Sequence, residues 1–365
     1  MKAKQFINYC LTEYEDLSQE KANIIKTISG LDAADEKQAA ILDRIWKVLN
    51  TETYNNNIVN SLLAPTKDEY MNDAALQKHR INVAEILSRV DSDYNAMNGF
   101  LKKLETGGVV NIDELQKPVN SFNAIFGGDA VAIKAFDALK GYGVQAKAKG
   151  PGEYALAMLS NKIRLAEGAG DTEIDGIGDV EVKASATGAA KGGRLGDGGP
   201  QQEQQMGILL KYEDRLPNMI ASIKANVKGG TLGIGPFVNL LNAEAPINNP
   251  DSKALRLEIG KALWEPQFRS YGTAMATKLA NSENRDEIEY EYVRQNFEWY
   301  KARDGFDAYL LISFINQKTA MGRTGQDIIA MRQANQISGF GISVIPSKSR
   351  PPEVFAQISL TSAGV

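Results

Sequence analysis

Along the first 147 residues, apolar positions recur at the three-and-four spacing of a helix face in three places: Ala39-Ala40-Ile41-Leu42-Ile45-Trp46-Val48-Leu49, Ile81-Val83-Ala84-Ile86-Leu87-Val90 and Ala130-Val131-Ile133-Ala135-Phe136-Leu139. Pro65 and the pairs Gly107-Gly108 and Gly127-Gly128 punctuate them. Asn111 followed by Glu114 resembles a capping box, and the polar run from Thr51 to Asn57 reads as a loop. The pattern predicts a helical arm or bundle over 1–147. Over 148–200 glycine becomes dense. A short helix from Glu153 to about Leu165 is predicted there, then two alternating segments, Asp171 to Asp175 and Asp179 to Ala184. Residues 201–305 return to helix, broken at Gly229–Pro236 and ending in a strongly charged amphipathic stretch from Ser282 to Arg303. From 306 the pattern turns to β: a buried strand at Asp307–Phe314, a helix-compatible stretch Gly325–Gln336, and strand runs at Gly341–Ile345 and Val354–Leu360. No repeat of fixed period is visible.

Composition narrows the function classes. Of 365 residues, 43% are hydrophobic and 24% charged, ordinary for a globular chain. Acids outnumber bases 45 to 41, so no global positive field attracts a polyanion, and nucleic-acid binding requires a local basic patch. A single cysteine, Cys10, and a single histidine, His79, exclude a disulfide framework, a Cys/His zinc site and catalysis by a histidine pair. His79 on a polar helix is read as exposed. The N-terminal apolar stretch is interrupted by Glu13, Glu15 and Asp16, unlike a secretory segment, and no run of eighteen apolar residues occurs. A cytoplasmic protein without a membrane span is expected.

The chemistry concentrates between Asp171 and Lys183. Strand alternation puts Asp171, Glu173 and Asp175 on one face, and Asp179, Glu181 and Lys183 on one face of the next strand. A three-residue loop, Gly176-Ile177-Gly178, makes these faces coincide, with Asp175 opposite Asp179 and Asp171 opposite Lys183; a two-residue loop separates them. Five carboxylates then crowd one surface, and a divalent cation is the natural relief. Hard oxygen donors suit Mg²⁺ or Mn²⁺. Other readings of the same residues are an EF-hand-like start at Asp171-x-Glu173-x-Asp175-Gly176, whose twelfth position is Val182 instead of Glu, a glycine-rich phosphate cradle without a known motif, and a solvated acidic hairpin in which Lys183 pairs with Asp171.

Asp171, followed ten residues later by Glu181-Val182-Lys183, resembles the D…ExK motif of the PD-(D/E)XK nuclease superfamily; Gly170 stands where that pattern has proline. The family core runs helix, three strands, helix, strand. The resemblance implies an α/β (α+β) fold, a restriction-endonuclease-like mixed sheet core with large helical N-terminal and inserted segments. Residues 148–200 would form the first part, 201–305 a helical insertion, and 306–365 the strands that complete the core. It further implies Mg²⁺-dependent (or Mn²⁺-dependent) hydrolysis of a nucleic-acid phosphodiester, DNA foremost. Asp171 and Glu181 would be metal ligands, Glu153 an auxiliary ligand on the first helix, and Lys183 the water-orienting base or charge stabiliser. Ser185, Lys191 and Arg194, just beyond the ExK strand, would face substrate, with Arg194 best suited to grip phosphate. Lys147, Lys149, Lys318, Arg323, Arg332, Lys348 and Arg350 are candidates for the basic groove. Tyr292, Phe297, Trp299 and Tyr300 recur near helical spacing and are read as core or interface packing. Because so much helix lies outside this chemistry, the alternative is a structural or assembly protein, plausibly of a bacteriophage particle, with an accessory or inactive nuclease-like core, acting as a homo-oligomer or with other particle proteins.

Overall fold

The computed structural model describes residues 36–61, 74–143, 150–166, 168–185, 194–195, 202–226, 231–337, 339–346 and 356–357. Cys10, Pro65, Lys147, Lys149, Lys191, Lys348 and Arg350 lie outside them. The chain is a helix-rich α+β protein that divides into two compact units: 1–114 with 122–167 and 171–175, and 115–121 with 168–170 and 176–365.

The N-terminal helices form where the periodicity places them: α1 (Glu36–Leu49), α2 (Glu52–Ser61), α3 (Ala74–Ser88), α4 (Tyr94–Thr106) and the short α5 (Ile112–Leu115). Asn111 does cap α5, its Oδ1 accepting the Asp113 and Glu114 N–H groups at 3.0 and 3.3 Å. Strand β1 (Val119–Ser121) belongs to the second unit. The first resumes with α6 (Phe122–Ile125), α7 (Ala130–Gly143) and α8 (Pro151–Ala157), then an antiparallel pair, β2 (Ile163–Leu165) and β3 (Thr172–Ile174). Ile45, Val48, Leu49, Val83 and Leu87 are buried, so the apolar stripes of α1 and α3 are core faces.

Two expectations fail in this unit, for one physical reason. The loop expected at Thr51–Asn57 is helix α2, and the helix expected to reach Leu165 stops at Ala157. The buried Asn57 side chain joins the two: Nδ2 donates to the carbonyls of Ala157 (2.9 Å) and Ile163 (3.1 Å), and Oδ1 accepts the Leu165 N–H at 3.0 Å. Segment 107–109 holds the intervening turn, with the Val109 N–H donating to the Leu159 carbonyl at 2.8 Å. Gly108 has φ +107°, and a Cβ there would lie 2.4 Å from Ser160 Cα, so this close approach requires glycine. Backbone groups that a continuing helix would use are satisfied across the fold instead.

In the second unit, β4 (Gly178–Ser185) leads into β5 (Arg194–Leu195), helices α9 (Gln202–Leu210) and α10 (Pro217–Asn226), β6 (Leu232–Gly233), and helices α11 (Ile234–Glu244), α12 (Pro250–Phe268), α13 (Ser270–Asn281) and α14 (Arg285–Asp304). Strands β7 (Ala308–Ser313) and β8 (Lys318–Gly322), helix α15 (Gly325–Gln333), β9 (Ser343–Ile345) and β10 (Ala356–Gln357) follow. Four strands of the unit pair side by side in the order β1, β8, β7, β4. β1 with β8 and β8 with β7 are antiparallel, and β7 with β4 is parallel, Val180 facing Ala308 and Ser185 facing Ser313. Every residue of β7 is buried, which explains its unbroken apolar run. Asn284 starts α14 by accepting the Asp286 and Glu287 N–H groups, and Gly305 ends it in the left-handed conformation. The guanidinium of the fully buried Arg256 on α12 ties the helical layer together, donating to the carbonyls of Ala245, Leu279 and Ser282 and to Asn242 Oδ1 at 2.7–3.1 Å.

Candidate functional site around Glu181 and Lys183

The ExK strand starts from a tight junction. Gly176 (φ +77°) lies in the turn after β3, and Gly178 (φ +102°) opens β4. A Cβ on Gly178 would come within 2.1 Å of Asp307 Oδ2. That carboxylate accepts the Asp179 N–H at 3.0 Å, and the Asp307 N–H donates to the Asp179 carbonyl at 2.7 Å. The starts of β4 and β7 are thereby fastened together. Alternation then runs as expected: Val180 and Val182 are 0% and 1% exposed, and Glu181 and Lys183 take the other face.

Glu181 lies opposite Tyr309 in the parallel pair, and α14 covers this face. The rings of Phe297, Tyr300, Phe306 and Tyr309 contact one another at centroid distances of 5.1–6.3 Å. Tyr300 belongs to this aromatic seam and reaches β4 through its hydroxyl. Its hydroxyl donates to Glu181 Oε1, and the Lys183 ammonium donates to the same oxygen and, at 3.3 Å, to the Val182 carbonyl. Burial, reinforced by the neighbouring Glu181 carboxylate, pushes the Tyr300 phenol far above its ordinary value, so it stays a protonated donor at every working pH. Tyr300 is the residue that sequence reasoning missed. Its helical spacing with Tyr292 and Phe297 correctly signals packing, but no local pattern announces that the ring's polar end meets a carboxylate 119 residues away.

Arg303 lies over two rings at the end of α14. Its guanidinium carbon is 4.9 Å from the Trp299 ring centroid and 5.2 Å from that of Tyr300, and its Nη2 donates to Asp304 Oδ2 at 2.7 Å.

The other expected site residues have their own surroundings. In the first unit, Glu153 lies in the first turn of α8, buried, with its carboxylate folded over Gly150; a Cβ on Gly150 would meet Glu153 Oε1 at 2.5 Å. Asp171 immediately precedes β3, and its carbonyl accepts the Ala166 N–H at 3.1 Å. The crowding expected of Glu173 and Asp175 is relieved by the Arg164 guanidinium. Arg164, opposite Glu173 in the β2–β3 pair, donates to Glu173 at 2.9 and 3.4 Å and to Asp175 at 2.7 Å. That contact holds Glu173 below the usual carboxylate range and Arg164 above its own. Reading 153–165 as one helix concealed this partner. Ser185 ends β4 opposite Ser313, and Arg194 pairs with Gln357 in the small β5–β10 ladder.

The backbone at Gly170, just before Asp171, has no room for proline. Its φ is +70°, and a Cβ would sit 3.0 Å from the Val180 carbonyl group. Proline is locked near φ −65° and cannot occupy this position.

Among the described residues, no three carboxylate, imidazole or thiol groups gather into a set able to hold a metal ion. Glu181 nonetheless has suitable donor chemistry for a hard cation: both of its hydrogen bonds among those residues converge on Oε1, leaving Oε2 without a donor. No helix among the described residues is long and apolar enough to cross a membrane. Compared with family models, with characterised proteins and with solved structures, the chain finds no match.

Proposed function

We propose that this chain is a metal-dependent nuclease of the PD-(D/E)XK type, hydrolysing phosphodiester bonds of nucleic acid, DNA foremost. The observation that carries the reading is the Glu181–Lys183–Tyr300 cluster: a carboxylate, 7% exposed, whose Oε1 is held by an ammonium and a phenol while Oε2 receives no donor among the described residues. The Lys183 ammonium and the Tyr300 phenol offset the cost of burying this carboxylate at Oε1, and Oε2 is the oxygen that could serve a hard cation. The order of elements supports it too: α8, three strands β2 to β4, then α14 and β7 follow the helix, three strands, helix, strand sequence of that fold, with the helical insertion between β4 and α14.

On this reading Glu181 would hold Mg²⁺ or Mn²⁺, which would supply an activated water; Asp171 and Glu153 are ligands only as the resembled motif implies them. Lys183 orients that water and stabilises charge growing on the phosphate oxygens. Tyr300 keeps the Glu181 carboxylate in one rotamer. The resemblance also implies substrate-binding roles for Ser185, Lys191 and Arg194. The test is incubation of supercoiled plasmid and labelled oligonucleotides with Mg²⁺, with Mn²⁺ and with chelator, for wild type and Glu181→Gln. Metal-dependent cleavage by wild type alone is expected. Wild type that leaves every substrate intact, and elutes as a defined ring or large assembly, sinks the reading in favour of a structural role in a particle.

A further inference from the structure

We infer that Arg303 is a phosphate-contacting residue of this site, positioning the DNA backbone beside Glu181 and Lys183. The inference rests on the nuclease reading and goes beyond it, because Arg303 lies outside the D…ExK motif and 109 or more residues from the basic segment around Arg194 that the sequence favoured.

Three observations meet at this side chain. First, it is placed by the same ring that holds the carboxylate. The Tyr300 hydroxyl donates to Glu181 Oε1, and the Arg303 guanidinium lies 5.2 Å from the centroid of the Tyr300 ring. One aromatic side chain therefore touches the candidate acid–ammonium pair at its polar end and a cation at its face. Second, the guanidinium is held in advance. Trp299 at 4.9 Å and Tyr300 flank it, and Asp304 fixes its edge through Nε at 2.5 Å and Nη2 at 2.7 Å. A fork ordered before binding loses less side-chain entropy when it takes up a phosphate oxygen. Third, it remains reachable, the side chain keeping about a third of its surface in solvent. Stacking on the two aromatic rings orients the guanidinium through its face, and its N–H groups point along its edge, away from the rings. The Asp304 contact is partly exposed and weak, so the stacking on Trp299 and Tyr300 is what keeps the guanidinium ordered when a phosphate takes that place.

The role is positional. Arg303 binds a backbone phosphate and does not act on the attacking water, so its loss affects binding more than turnover. The experiment measures fluorescence anisotropy of a labelled duplex DNA oligonucleotide, with Ca²⁺ replacing Mg²⁺ to suppress cleavage, over a series of salt concentrations. Wild type, Arg303→Gln and Arg303→Lys are compared. Arg303→Gln should weaken binding about tenfold at low salt and lower the slope of log affinity against log salt by about one. Arg303→Lys should restore the slope while recovering only part of the affinity, because lysine lacks the planar fork. In the cleavage assay, Arg303→Gln should raise KM by a similar factor and change kcat less than about threefold. Binding by wild type with an unchanged affinity and slope in Arg303→Gln overturns the inference and leaves the nuclease reading standing. Wild type that binds no DNA overturns both.

Discussion

Lys183 and Tyr300 donate to one oxygen of Glu181, but their roles differ. Tyr300 is buried and remains protonated, so it can orient the carboxylate and do little else. Lys183 is partly exposed, and its ammonium is chemically suited to act on an attacking water or a phosphate oxygen. Its work belongs to the transition state, so its loss should reduce turnover far more than binding. Lys183→Met keeps most of the stem's packing. It is expected to fold, to bind Mg²⁺ and DNA as wild type does, and to cleave at least about a hundredfold more slowly, the usual scale for a general base or preorganised charge. Equal cleavage rates for the two proteins would reduce Lys183 to a charge partner of Glu181. At this scale the sequence was informative wherever chemistry followed strand parity: Val180 and Val182 inward, Glu181 and Lys183 on the other face. Tyr300 escaped, because its partner is set by how α14 docks and not by anything within one turn of it.

Among elements, the β2–β3 pair illustrates how a cross-strand partner changes the meaning of a charge. Glu173 and Asp175, read alone, looked like part of a crowded acidic face awaiting a counter-charge. Arg164 answers them, and it was hidden because apolar spacing across 153–165 continues a helix that segment 107–109 and Asn57 bring to an end. Tertiary hydrogen bonds override periodicity there, as they do in the Asn-rich stretch that folds as α2. The clamp has a pH signature. Arg164 lowers the folded-state pKa of Glu173 below its reference value of 4.5. Its stabilisation is therefore present above about pH 4.5 and is lost as pH falls through the depressed folded value. Glu173→Gln should be less stable than wild type at pH 7, and the two proteins should converge as pH falls through the depressed folded-state value of Glu173. Urea unfolding across that range would measure this; a difference that persists unchanged at low pH would show that the lost contact is not ionic. The pair is exposed, so the effect at neutral pH is expected to be modest.

At the scale of the molecule, α14, β7 and α15 each lie within a few residues of where the hydrophobic pattern predicted them, whereas the buried strand β8 was not expected. Long uninterrupted apolar or capped stretches are legible because burial on every side leaves one reading. What the pattern could not supply was the strand partner, since parallel pairing of β4 with β7 depends on segments far apart in the chain. Metal binding is the property that would act on the whole fold. If Glu181 and Asp171 are ligands, millimolar Mg²⁺ should raise the melting temperature, because a ligand taken only by the folded state stabilises it. Asp171→Ala should fold and lose that response. A metal-induced shift of full size in Asp171→Ala would remove Asp171 from the site.

The β4–β7 pairing also sets a timetable for the nascent chain. Asp179 and Asp307, which fasten the two strand starts, are 128 residues apart. At a synthesis rate of about 5–20 residues per second, β4 leaves the ribosome roughly ten seconds before its neighbour exists. During that interval the helices from α9 to α14 must form while the edge of β4 that β7 will cover has no strand beside it, a vulnerable arrangement for a hydrophobic strand. Chains interrupted anywhere before β7 would carry the Glu-Val-Lys strand but not the partner that buries it. Such products should aggregate rather than persist as small active fragments, and a chaperone that shields one strand edge through the synthesis of the helical insertion would raise the yield of the whole protein.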